Sequence, residues 1–215
     1  MPSAFEYFLF NFSQFILMIF VNMILIEGTA GLAAVARAYV VLILNYVMLF
    51  SLSIANSNQI IAGYYVGEGN YEEAKAFTLR NYKYLLVTVI VIVIILNIFW
   101  RQIIGLLTDD IRIIEALRGV FLVAMFYEVG RSLNIMFIAA LRTVNDIIFP
   151  VVMGIISMYG LGVLFGYLLG VHFGLGVLGI MIGQAMDECF RGTFMFFRFK
   201  NKDFDLLRRN NIENT

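Results

Sequence analysis

RIIEALRGVFLVAMFYEVGRSLNIMFIAALRTVNDIIFP, Arg112 to Pro150, is the stretch that decides the fold. Most of it reads as one long apolar helix with Glu128 and Arg131 near its middle. Glu128 lies sixteen residues after Arg112 and fourteen before Arg142. At ~1.5 Å per residue these are ~24 Å and ~21 Å, which puts the carboxylate near the centre of any bilayer the helix crosses. Ionisable groups at that depth cost about 3 kcal/mol each on insertion scales, so they face a bundle interior or a water-filled path.

The rest of the chain supports a membrane reading. Of 215 residues 61% are hydrophobic and only 14% charged, against roughly 45–50% apolar in soluble domains. The class is all-α integral membrane. A net charge of zero gives no reason to expect nucleic acid. Cys189 is the sole cysteine, which rules out an internal disulfide. Phe (21), Tyr (11) and Met (11) suit a pliable apolar cavity and equally suit lipid-facing filler. Pro2 opens the first helix without a basic leader or cleavage site, so this segment is expected to stay in the protein. No nucleophile–base pair, metal cluster or cofactor fingerprint is present, which argues against an enzyme; His172 reads as a solvated loop residue.

Six apolar spans are expected, at about 2–25, 32–62, 85–100, 113–141, 149–170 and 174–197, forming one transmembrane domain over 1–200 with a polar tail over 201–215. The connection at 63–83 is the longest polar one. Asn70 and Glu73 read there as a capping box, with a helix starting near Tyr71. Its glycines at 63, 67 and 69 lack the following Gly-Lys-Ser/Thr of a phosphate loop. Gly162, Gly166 and Gly170, with Gly179 and Gly183 at the same spacing, predict close backbone approach between the last two spans. Lys75, Arg80, Lys83, Arg142, Arg198, Lys200, Lys202, Arg208 and Arg209 fall on the side of both termini, against Arg101, Arg112 and Arg118 opposite. The bias predicts both termini in the cytoplasm.

Three polar groups remain inside the bilayer: Glu6 with Asn11 on the first span; Glu128, Arg131 and Asn134 on the fourth; Asp187, Glu188 and Arg191 on the sixth. Arg191 is four residues from Asp187 and three from Glu188, so a helix can pair it with either. One reading is that the charges neutralise one another and hold the bundle together. The other is that one carboxylate, Glu128 first and Asp187 second, carries a proton or binds a cation. Three acids against two arginines on these helices leave one acid over. Arg37 is expected to snorkel to the outer interface or meet Glu27.

Glu128-Val-Gly-Arg-Ser-Leu-Asn134, then Ala-Leu-Arg142, Asp146 and Phe149-Pro150, resembles the tenth-helix region of the multidrug and toxic compound extrusion (MATE) transporters. GLGVLGI (174–180) followed by Asp187-Glu188-Cys-Phe-Arg191-Gly192 is similar to that family's last helix, and Pro2-Ser-Ala, Gly28–Ala34 and Gly63–Ala74 fit its seventh and eighth helices and the loop after them. The resemblance runs in order to about residue 205. It implies a drug antiporter in which sodium or proton entry drives export of amphipathic, cationic compounds, with no cofactor beyond the coupling ion. Such transporters consist of two six-helix lobes, and this chain resembles the second. Either an N-terminal lobe belongs upstream of Met1 or two copies assemble. A non-transporting fragment or accessory subunit, and a lipid-linked precursor flippase of a related superfamily, are the alternatives. The sequence departs from the family pattern at Thr143 and Asn145, where small residues are usual, at Met181 for tryptophan, and at Phe10, near where some members carry an acid. Arg131 stands where other branches have an aspartate.

Overall fold

The computed structural model describes the backbone of residues 2–202 and the side chains of residues 8–202. Glu6 and nearly all of the polar tail therefore lie outside the described side chains. The described residues form helices α1 (Pro2–Asn22), α2 (Leu32–Gly67), α3 (Tyr71–Gly105), α4 (Ile111–Ala116), α5 (Val120–Thr143), α6 (Ile148–Ser157), α7 (Leu164–Tyr167) and α8 (Gly176–Lys200). Two π-helical stretches, Met158–Val163 and Leu168–His172, join α6 and α7 into one continuous helix, Ile148–His172. Among the described residues there is no named strand; the one β-bridge, Ile26 to Thr29, closes the turn after α1.

Among the described residues, four helices are long and apolar enough to cross a membrane: Leu32–Gly67, Tyr71–Gly105, Val120–Thr143 and Ile148–His172. The 25-residue α8 has the length as well but carries Asp187, Glu188, Arg191, Arg198 and Lys200. The polar connection at 63–83 is shorter than its composition suggests, because α2 runs on to Gly67 and α3 starts at Tyr71. The expected capping box does not form: Asn70 makes no side-chain cap bond.

The organising stretch is two helices rather than one. Gly119 adopts φ +82°, a left-handed conformation that a side chain disfavours, and the chain breaks there between α4 and α5. Glu128 thus sits eight residues into a 24-residue helix, ~12 Å from its start, in the first half rather than at the centre.

The interior has three layers. An apolar core of Leu17, Val21, Ala36, Leu117, Val120 and Ile180 fills one end. A second, around Leu85, Met136, Phe137, Leu141 and Met195, fills the other. Phe137 is wholly buried there, its ring 5.1 Å from Tyr82, 5.2 Å from Phe196 and 5.4 Å from Phe199. Between the two lies a polar layer.

Glycines let α8 reach that layer. A Cβ on Gly183 would stand 2.5 Å from the Gly166 nitrogen, and one on Gly179 would strike the Leu169–Gly170 peptide. The ladder expected from the glycine spacing is therefore the seam between the far half of the Ile148–His172 helix and α8. On the other side of α8, a Cβ on Gly130 would stand 2.6 Å from the Cys189 nitrogen and one on Gly192 would stand 2.6 Å from the Gly130 oxygen. In a bilayer, where lipid tails are as apolar as leucine, such close packing holds helices together.

Candidate functional site

The polar layer is built by α1, α2, α5, α6 and α8. On α5, Arg131 Nη1 donates to Glu128 Oε1 at 2.8 Å, and its guanidinium lies over the Tyr127 ring, 5.0 Å from the centroid. Glu128 is wholly buried, and its other oxygen, Oε2, has no hydrogen-bond partner among the described residues. On α8, one nitrogen of Arg191 serves two acids: Nη2 lies 2.8 Å from Glu188 Oε1 and 3.3 Å from Asp187 Oδ2.

Neighbouring helices supply the remaining donors. Asn134 Nδ2 donates to Glu188 Oε2 at 2.9 Å, tying α5 to α8. Ser157 Oγ, where the first π-helical stretch begins, donates to Asp187 Oδ1 at 2.6 Å. Gly162 on that stretch faces Asp187, and a Cβ there would lie 3.4 Å from the Asp187 Cβ, in van der Waals contact. The i, i+3 and i+4 spacings on α5 and α8 thus place both acid–arginine sets as expected.

A cavity of about 230 Å³ opens beside this layer, lined by Phe10 and Gln14 of α1, Asn45 and Met48 of α2, Tyr127 and Arg131 of α5, and Met181 and Gln184 of α8 among others. A second void of about 10 Å³ shares Phe10, Gln14, Tyr127 and Gln184 with it and reaches Asp187 and Glu188. That is about one water's worth of space. The carboxylates on α8 therefore stand one small molecule behind the cavity wall. Glu128 lines neither space.

The predicted site residues divide into three groups. Glu128, Arg131, Asn134, Asp187, Glu188 and Arg191 are brought together in the layer. Asn11 is exposed on α1 and lines neither cavity. Glu6 is outside the described side chains.

Arg37 differs from expectation. Its Nη2 donates at 2.9 Å to Gln14 Oε1, which also faces Gln184 Nε2 at 3.5 Å, so it points inward rather than to the outer interface. Burial without a carboxylate is tolerated because the amide oxygen accepts. Sequence reasoning missed Gln184, Tyr127 and Ser157 as members of the layer. The available signal was spacing: Gln184 stands three residues before Asp187 and four before Glu188, on the same helix face. The family departures have local consequences too. Phe10 and Met181 both line the cavity, and Asn145 takes φ +56°, a left-handed value that asparagine tolerates better than most residues.

Helices that are apolar outside, glycine-packed inside and polar at mid-depth define an integral membrane protein. The MatE family profile matches residues 2–168, and the chain belongs to this family. It is 32% identical over 201 residues to the "Uncharacterized transporter YisQ" of Bacillus subtilis, covering 94% of this chain and 43% of that protein. It is 26% identical over 202 residues to the "Probable multidrug resistance protein NorM" of Thermotoga maritima, covering 92% of this chain and 42% of that one. Among solved structures, a MATE in the straight conformation matches with a TM-score of 0.77 at 20% identity, over 97% of this chain and 45% of the other. An inward-facing multidrug resistance MATE family transporter matches with a TM-score of 0.75 at 19% identity, over 97% and 47%. The chain thus spans less than half the length of these proteins. The MATE resemblance read from the residues holds.

Proposed function

We propose that this chain is one six-helix lobe of an ion-coupled exporter of amphipathic compounds in the cytoplasmic membrane, with both termini cytoplasmic. The cavity would be completed by a facing lobe, on the same polypeptide or as a second copy. Cargo would occupy the space between Phe10, Tyr127, Met48 and Met181, whose aromatic and thioether surfaces adapt to varied apolar bodies. The cationic character expected of the cargo finds no carboxylate on the described wall, whose one charged residue is Arg131. Amphipathic is therefore the class this wall supports.

The observation that carries the reading is Glu128: fully buried, with one oxygen on Arg131 and the other without a partner among the described residues. An orphaned buried acceptor is costly and calls for an explanation such as an ion, a proton or a water that comes and goes. Asp187 and Glu188, sharing one guanidinium, are the second candidates for holding the coupling proton or sodium ion. A purely structural role for the charges, in a non-transporting subunit, draws support from the arginine beside every one of these acids. A lipid-linked precursor flippase calls for a more cationic wall than one arginine.

The test is Glu128→Gln in the transporter that this lobe completes, reconstituted in vesicles with a fluorescent amphipathic dye. Export driven by a proton or sodium gradient should be abolished while the protein elutes as the wild type does. Undiminished gradient-driven export would remove Glu128 from the mechanism.

A further inference from the structure

A second concave surface lies on the opposite side of α5. The cavity of the polar layer is lined by Tyr127 and Arg131, whereas Leu122 and Met125 face a separate groove closed by Ile94, Asn97, Ile98 and Trp100 of α3. Leu122 and Tyr127 are five residues apart, about 140° round the helix. The groove holds about 360 Å³, more than twice the ~150 Å³ apolar cavity that admits a benzene ring. Ile94, Ile98 and Leu122 are exposed, so the groove opens outward along membrane-spanning helices. Its one amide is already engaged: Asn97 Nδ2 donates to Val93 O at 2.9 Å and to Phe121 O at 2.8 Å. The rest of the lining is mostly apolar.

One end is different. Trp100 and Gly119 line the groove where α3 nears its end and α5 begins, and Arg101 and Arg118 follow and precede them. Both arginines are exposed, and neither forms an ion pair among the described residues. An apolar trough ending in a tryptophan, with an exposed arginine next in the chain to each of its end residues Trp100 and Gly119, complements one molecule in its surroundings: an acyl chain attached to a phosphate.

We propose that this groove is a binding site for an anionic phospholipid, one acyl chain lying between α3 and α5 and the phosphate held by Arg101 and Arg118. The site is independent of the transport reading. The break at Gly119 falls at its end.

The full chain, purified in mild detergent, would be mixed with phosphatidylglycerol or phosphatidylcholine of identical acyl chains and examined by native mass spectrometry. The expected result is preferential retention of one phosphatidylglycerol, by about five-fold or more, the effect of a single arginine at ~1 kcal/mol. The double variant Arg101→Gln/Arg118→Gln should bring the two lipids level. Leu122→Trp, which fills the trough at an exposed position, should lower retention of both. Equal retention by the wild type, a preference that survives the double variant, or retention indifferent to Leu122→Trp would each overturn the proposal. A lipid-free dimer dispersed by Leu122→Trp would equally overturn it, since a second copy would then cover the groove.

Discussion

Asp187 and Glu188, adjacent in the chain, both reach the same nitrogen of Arg191, at 3.3 Å and 2.8 Å. Side chains next to each other on a helix diverge by about 100°. They converge here because Arg191, one turn further on, projects back between them. Ser157 and Asn134 then take up their outer oxygens. Two negative charges are thus held side by side in the protein interior by one positive charge and two neutral donors.

Arg191→Gln should therefore be among the most damaging single changes. It leaves two buried carboxylates without a counter-charge, and breaking a buried pair costs about 3–5 kcal/mol. Thermal unfolding in detergent should fall sharply, and adding Asp187→Asn should recover part of the loss. A single variant as stable as the wild type would mean that Arg191 does not compensate these acids.

The glycines separate into two kinds. Gly183→Ala puts a methyl group 2.5 Å from the Gly166 nitrogen, and overpacking of this kind costs about 1–3 kcal/mol. Gly63, inside α2, has nothing within 4 Å of its added Cβ. Gly63→Ala should stabilise by roughly 0.5–1 kcal/mol through lost backbone freedom. Melting temperatures of the two variants should move in opposite directions.

Asp146, in the turn between α5 and α6, receives Lys202 Nζ at 2.6 Å and Arg198 Nε at 3.0 Å. Burial pushes its carboxyl up, but the hydrogen bonds and charges of Lys202 and Arg198 outweigh that and hold it below the usual carboxylate value. A group depressed in the folded state contributes stability above its unfolded value, ~3.9, and loses it as pH falls through the folded one. Asp146→Asn should lower the melting temperature at pH 7, by about 2 kcal/mol of charge-assisted bonding, and the gap to wild type should close on acidification below about pH 4. A gap that stays constant as the pH is lowered would contradict this.

Gln14→Leu removes the oxygen that accepts from Arg37. Arg37 Nε already lacks a partner among the described residues, so the guanidinium would lose its Gln14 acceptor in the interior, at a cost of about 1–3 kcal/mol. The companion change Arg37→Leu in the same chain should restore much of the stability. Additive losses would show that the two residues do not interact.

Periodicity made part of this molecule legible. The Gly162–Gly170 spacing anticipated the seam between the Ile148–His172 helix and α8 because small residues four apart must share a helix face. The Glu128–Arg131 and Asp187–Arg191 sets were visible for the same reason. What escaped was set by long-range geometry. Arg37 faces Gln14 because α1 and α2 fold back on each other, which spacing within either helix does not encode. The break at Gly119 was hidden by apolar residues on both sides, since hydropathy follows burial in lipid and not backbone direction. Ser157 reaches Asp187 across helices thirty residues apart in sequence, at the onset of a π-helical stretch that carries no compositional mark.

Those π-helical stretches also bear on how the Ile148–His172 helix moves. Each is a widened turn, so tightening one of them into ordinary α geometry would swivel every residue beyond it while leaving the start of the helix docked. Gly166 lies between the two stretches, facing Gly183, and Ser157 lies just before the first, on Asp187. Rewinding the first stretch would therefore turn the glycine seam against α8 like a key, with the serine–aspartate contact as its pivot.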